Sequence, residues 1–385
     1  MIQTTPEKLC IQRSDLHFKN QIEVYRGKVR DVSLLSCKNQ EKTQNNPAPS
    51  TGGIMHYPEE KHFKNMKQLT FGGNNAEAYW SFDGQKLTFQ SDFKNWGADC
   101  DQIFWFRPFQ YDLKSVVPNY ISKKKGRTTC SYFMPGDSTI LFASTCGNGE
   151  NCPIVPERKP GGKYVWPIYN SYEIYISDLN GNVVEQLTNN EFYDAEGTIS
   201  PLGDMMVFTS NRSGDLELHT MNLKTKEIKQ ITSGIGYDGG AFFSPDGKKI
   251  VFRASRPQTD QEKMEYFELL KNEQVQPTNM EIYTCNIDGT NLQQITKLGK
   301  ANWAPFFTPD GKKIIFSSNH AANRGFQFNL YMINTDGTGL EKISHDVTFD
   351  SFPMFSPDGK YLVFSSNRNN GGTRDTNLFL AEWAD

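Results

Sequence analysis

One four-residue phrase recurs six times along the chain: Ser81-Phe82-Asp83-Gly84, Met134-Pro135-Gly136-Asp137, Ser200-Pro201-Leu202-Gly203, Ser244-Pro245-Asp246-Gly247, Thr308-Pro309-Asp310-Gly311 and Ser356-Pro357-Asp358-Gly359. Proline presets φ for an early turn position and glycine accepts the positive φ that follows, so each phrase reads as a tight corner. A Phe stands five residues beyond the Gly in five copies, at Phe89, Phe208, Phe252, Phe316 and Phe364. In the second copy Gly and Asp are exchanged, and Phe142 lies five residues beyond Asp137. Apolar runs such as Ala241-Phe242-Phe243 and Ile250-Val251-Phe252 flank the corners and read as paired antiparallel strands. A third apolar segment follows in each unit, for example Leu330-Tyr331-Met332, and a second turn such as Asp336-Gly337 leads to a fourth strand ending Lys342-Ile343-Ser344. Four strands in each of six units predict an all-β chain, a six-bladed β-propeller of four-stranded blades.

The two ends of the array complete each other. The sixth unit stops at Glu382-Trp383-Ala384-Asp385, just after its third strand, while the phrase that ends a fourth strand stands ahead of the first unit as Lys67-Gln68-Leu69-Thr70. Docking that segment onto the last blade pairs an open edge, which radial sheets must avoid leaving exposed. The organisation expected is a poorly ordered or processed tail over residues 1–60 and the propeller over residues 61–385.

The Ser-Pro-Asp-Gly corners, the run Phe364-Ser365-Ser366-Asn367-Arg368 and strand ends such as Gln186-Leu187-Thr188 resemble the TolB-like family of bacterial propeller repeats over residues 66–385. The resemblance implies the fold. It also implies a module of the cell envelope that binds protein or carbohydrate, although fold does not fix function. TolB carries a separate α/β domain before its propeller, and residues 1–65 show no such pattern, so a Tol-Pal role does not carry over with the fold.

Formal charge is -3 with acids and bases interspersed, which argues against nucleic acid or an anionic membrane surface as partner. No run approaches the roughly 20 apolar residues that cross a bilayer. Leu34-Leu35-Ser36-Cys37 resembles the end of a bacterial lipoprotein signal, and the polar residues 38–53 would follow as a tether. Arg26, Lys28, Arg30 and Asp31 interrupt the apolar core such a signal needs, so chance resemblance is the favoured reading. Of seven cysteines, Cys100, Cys130, Cys146 and Cys152 cluster, which predicts a local disulfide, Cys146 to Cys152 or Cys100 to Cys130, and a periplasmic or secreted location.

In a propeller, the connections from strand two to three and from strand four into the next blade share one face. Nearly all the length variation falls there, including residues 146–170 and 255–279, and such decorated faces carry binding sites. Thr259 and Glu262 have capping-box spacing, and Met264, Phe267 and Leu270 recur at helical intervals, so a short helix is expected over the rim, as a lid or as packing on a neighbouring blade. The residues entering the innermost strands are Asn75, Thr128, Asp194, Asp238, Asn302 and Asp350, with Glu77 and Glu196 two positions further on. The candidate ligand-binding set is Glu77, Asp194, Glu196, Asp238, Asn302 and Asp350 at the channel mouth, with Arg212, Arg256 and Arg368, alongside His320, leaving strand two on the same face. Asp194, Asp238 and Asp350 would converge on a hard divalent cation such as calcium; the competing reading is that these residues cap loop backbone. Gly234-Ile235-Gly236-Tyr237-Asp238-Gly239 fits a dinucleotide string but joins two strands, and nucleophile-elbow, His-Glu-x-x-His, Walker and Cys-x-x-Cys motifs are absent. The function expected is a monomeric, non-catalytic propeller that binds a protein or glycan at its funnel. The alternative is a metal-dependent lyase or hydrolase acting on an oligosaccharide or peptide there.

Overall fold

The computed structural model describes residues 53–110, 114–122, 125–156, 162–323 and 325–385. The expectation of a lipoprotein-like signal at Cys37 falls outside them. Six four-stranded antiparallel sheets follow one another, with innermost strands Asn75–Trp80, Thr128–Phe133, Asp194–Ile199, Asp238–Phe243, Asn302–Phe307 and Asp350–Phe355 in blades one to six. All six corner glycines hold φ between 67° and 85°, so the corner chemistry acts as read. In the exchanged copy Asp137 accepts hydrogen bonds from the amides of Phe82 and Asp83, capping the corner of blade one.

Each blade is covered on both faces by its neighbours, which is why its strands are continuous apolar runs rather than alternating ones. The six repeated phenylalanines are at most 2% exposed. Each contributes about 1.5–3 kcal/mol by burial. Val207 and Leu218 of blade three pack with Phe243, Ile250 and Phe252 of blade four, the kind of seam that joins each blade to the next.

The closing strand, Phe63–Gln68, pairs antiparallel with Asn377–Trp383, so blade six takes its outer strand from the N-terminal side. Thr70 completes the match. Its hydroxyl accepts from the Leu378 amide at 2.8 Å. Ser122, Thr188, Thr232, Thr296 and Ser344 do the same in blades one to five, at 2.8–3.0 Å.

The packed body begins before residue 61. Glu60 is buried and grips the fully buried Arg368 through two hydrogen bonds of 2.9 and 3.0 Å, while Tyr57 donates to Asp346. On the decorated face the two insertions meet: Trp166–Pro167 from blade two pairs with Gln274–Val275 from blade four, a ribbon arching past blade three. Helix Asp260–Lys271 starts at the expected Thr259/Glu262 capping box. Its buried residue is Tyr266, which donates to Asp215 of blade three, whereas Met264 and Phe267 stay exposed. The helix therefore packs on a neighbouring blade, and the ribbon sets Trp166 against Arg253 and Trp303 of blades four and five.

The disulfide joins Cys100 to Cys152, tying blade one to the insertion of blade two, and Cys130 and Cys146 are free thiols. Both expected pairings are overturned. Spacing along the chain could not show that Cys130 points at the axis while Cys100 and Cys152 meet across two blades.

Candidate functional site

Every innermost strand carries a bulge after its second residue, visible as a register break against strand two in all six blades. The third residue there has φ between 48° and 59°: Glu77, Cys130, Glu196, Gly240, Ala304 and Phe352. A bulge re-aims its side chain, and these six line one chamber on the propeller axis. Because the left-handed backbone recurs in all blades, it belongs to the blade design rather than to one site. Tyr79, Tyr132, Phe242 and Phe306 form an aromatic tier one step further along the strands, with Tyr79 and Phe242 edge to face at 5.3 Å.

The chamber is small, about 30 Å³, room for roughly two water molecules. Two features fill its wall at blade four. Gly240 has no side chain, and the Arg253 guanidinium occupies the space a Cβ would need. Arg253 binds Glu196 Oε1 at 2.5 Å and the Tyr237 hydroxyl at 2.6 Å. Glu196 also accepts from the Tyr237 hydroxyl, the Thr209 hydroxyl and the Gly240 amide at 2.7–2.8 Å. Burial alone would raise its pKa, but Arg253 and these donors outweigh burial and hold it below the ordinary value.

Glu77 is the opposite case. Its Oε2 is buried with no hydrogen-bond partner. Burial, reinforced by the Glu196 charge and opposed by the Cys130 thiol and Arg253, raises its pKa to about 7. Burial and the two carboxylates push the Cys130 thiol well above its usual range, so it is not a thiolate at neutral pH. Two carboxyls on one axis thus hold different protonation states. The Trp166 indole lies 5.4 Å from the Arg253 guanidinium and 5.2 Å from Trp303, touching blades four and five. Of the ring, Glu77, Cys130, Glu196, Gly240 and Phe352 keep partial exposure, and Ala304 is buried.

Of the residues singled out by sequence, Glu77 and Glu196 reach the axis. Asp194, Asp238, Asn302 and Asp350 do not line the chamber; they are fully buried at the blade entrances. Asp194 pairs with Arg212, Asp238 with Arg256, and Asp350 with Arg368, while Asn302 accepts from Ser318 and donates to backbone carbonyls. Each arginine also stacks at 5.2 Å on an aromatic ring of its own blade, Phe208, Tyr283 or Phe364. The expected convergence of Asp194, Asp238 and Asp350 on a cation is not met: among the described residues no three His, Cys, Asp or Glu side chains stand close enough to hold a metal. The bulge turns the third residue inward and leaves the first within its blade, where a local arginine neutralises it. Arg368 is likewise no rim ligand, being sealed under Glu60. His320 hydrogen-bonds Ser318 and packs on Tyr331.

Cys130, Arg253 and Tyr237 escaped the sequence reading. The ring was nevertheless countable, since all six members stand four residues before the first residue of their corner.

Fold and chamber together define a closed six-bladed propeller with a small axial chamber lined by carboxyl, thiol and aromatic groups. The chain belongs to the TolB beta propeller domain family, whose profile matches residues 164–265 and 259–374, more than half of its length. No curated protein sequence matches it. Among solved structures it is similar to a TolB from Agrobacterium tumefaciens (18% identity, 81% of this chain and 91% of that one, TM-score 0.52). It is also similar to TolB from Acinetobacter baumannii (19%, 81% and 64%, TM-score 0.46) and to an oligogalacturonate lyase from Vibrio parahaemolyticus (13%, 82% and 93%, TM-score 0.45). At such identities the likeness is one of fold.

Proposed function

We propose that this chain is a non-catalytic, monomeric binding propeller of the bacterial cell envelope whose decorated face receives a polypeptide. The observation that carries this reading is the apolar surface on that face. Ile154 is 89% exposed, Met264 68% and Phe326 67%. Tyr164 stands against Phe326, and Lys163 pairs with Glu265 beside Met264, which brings the two insertions and blade five onto one surface. Exposed apolar patches of this kind mark protein contacts, whereas a glycan face would show flat aromatic platforms with convergent polar groups. The envelope location rests on the family and on the Cys100–Cys152 bridge, which needs an oxidising compartment. The lyase or hydrolase alternative finds no assembled metal ligands among the described residues.

The test is photo-crosslinking in cells with benzoylphenylalanine at Phe326 or Met264, against Asp310 on the plain face. One discrete protein adduct from the first two positions and none from the third is expected. Equal adducts from both faces, or none together with a thermal shift by peptidoglycan fragments, would overturn the reading.

A further inference from the structure

The axial chamber holds an imbalance that the protein does not resolve by itself. Glu196 has its acceptor sites filled by Arg253, Tyr237, Thr209 and Gly240. Glu77 faces the same space with a buried, unpartnered oxygen. The Arg253 charge is spent on Glu196, so an ionised Glu77 leaves the chamber one negative charge in excess. The remaining wall includes the rings of Tyr79 and Phe352, which suit a cation. Five of the six ring members, Glu77, Cys130, Glu196, Gly240 and Phe352, keep partial exposure, so the chamber is reachable along the axis.

We propose that the chamber binds one primary ammonium group, presented by the polypeptide that docks on the decorated face, with Glu77 as its acceptor. This rests on the binding-face reading above. A chamber of about 30 Å³ admits an ammonium on a slender methylene stem better than a branched α-amine, so the lysine side chain is the form favoured. Binding exchanges one cation for another: the Glu77 carboxyl loses its proton to solvent and the ammonium donates to the carboxylate. Because Glu77 titrates near neutrality, affinity should fall about tenfold for each pH unit below that point and level off above it, until the amine itself loses its proton near about pH 10.

The experiment follows the Glu77 side-chain carboxyl by carbon-13 NMR in the full chain while n-butylammonium is added. Tetramethylammonium, which cannot donate a hydrogen bond, serves as the control at equal ionic strength. A lowered Glu77 titration point with the first and not the second is expected. Glu77→Gln, nearly isosteric, should abolish n-butylammonium binding measured by calorimetry. N-acetylated Gly-Lys amide against Gly-Ala amide separates a side-chain amine from an N-terminus. Equal responses to both cations, or unchanged binding in Glu77→Gln, would overturn the proposal. If crosslinking captures a protein on the decorated face while Glu77 ignores amines, the chamber proposal falls and the binding face stands.

Discussion

Gly240 shows how one missing side chain can organise a site. A methyl group there would displace Arg253 from its place beside Glu196, and alanine would also have to hold a φ of 59°. Gly240→Ala should therefore break the buried pair and cost about 3 kcal/mol or more in urea unfolding, and a smaller loss would mean that Arg253 finds another partner. The sealed arginine gives a second contrast. Arg368 and Glu60 side chains are 0% exposed, whereas the Arg212 side chain keeps 22%. Glu60→Ala should destabilise by roughly 3 kcal/mol because it strips the buried Arg368 of two charge-assisted hydrogen bonds, leaving Asp350 as its remaining ion-pair partner, and Arg212→Ala should cost clearly less. These residue-level outcomes mark where the sequence was readable. Polarity at Asp194, Asp238 and Asp350 was plain, but their destination was not, because a bulge decides whether a side chain faces the axis or its own blade, and Glu60 gave no signal that it would seal one of them.

Among the elements, the repeat made blades, corners and closure legible, since each rests on local turn chemistry and spacing. The insertions were not. Which cysteines meet, and that Tyr266 rather than Met264 and Phe267 anchors the helix, depend on contacts between blades. Removing residues 63–70 should expose one edge of blade six. Phe63 and Leu69 alone contribute about 3–6 kcal/mol by burial, so the melting temperature should drop by roughly 6 °C or more in calorimetry. Reducing Cys100–Cys152, which spans 52 residues, should cost about 4 kcal/mol on the chain-entropy account. An unchanged melting temperature in reductant would show that the insertion is held by its ribbon instead.

For the whole molecule, buried acids and a buried imidazole set opposite slopes of stability with pH. Burial, with help from Asp238, raises Glu217 to about 8, and Glu77 rises to about 7. Both acids keep protons in the fold that the unfolded chain has already lost, so stability falls as pH climbs from the unfolded carboxylate range to about 8. Burial lowers His219 to about 4, so its contribution is complete above the unfolded imidazole value and is lost as pH drops towards 4. Between pH 6.5 and 8 only the acids act. Melting temperature should decline across that interval, and Glu77→Gln should raise it by roughly 2–4 °C at pH 8 with little change at pH 5; a flat profile would contradict the protonated chamber. The closing strand adds a consequence in time. Phe63 pairs with Trp383, so the earliest of the described strands to leave a ribosome waits for a partner made on the order of tens of seconds later at ordinary synthesis rates. Throughout that wait the growing array is an open arc with an unpaired edge at each end. A cell making this protein must therefore shelter an incomplete ring until the Asn377–Trp383 strand arrives, and the closing pair locks only then.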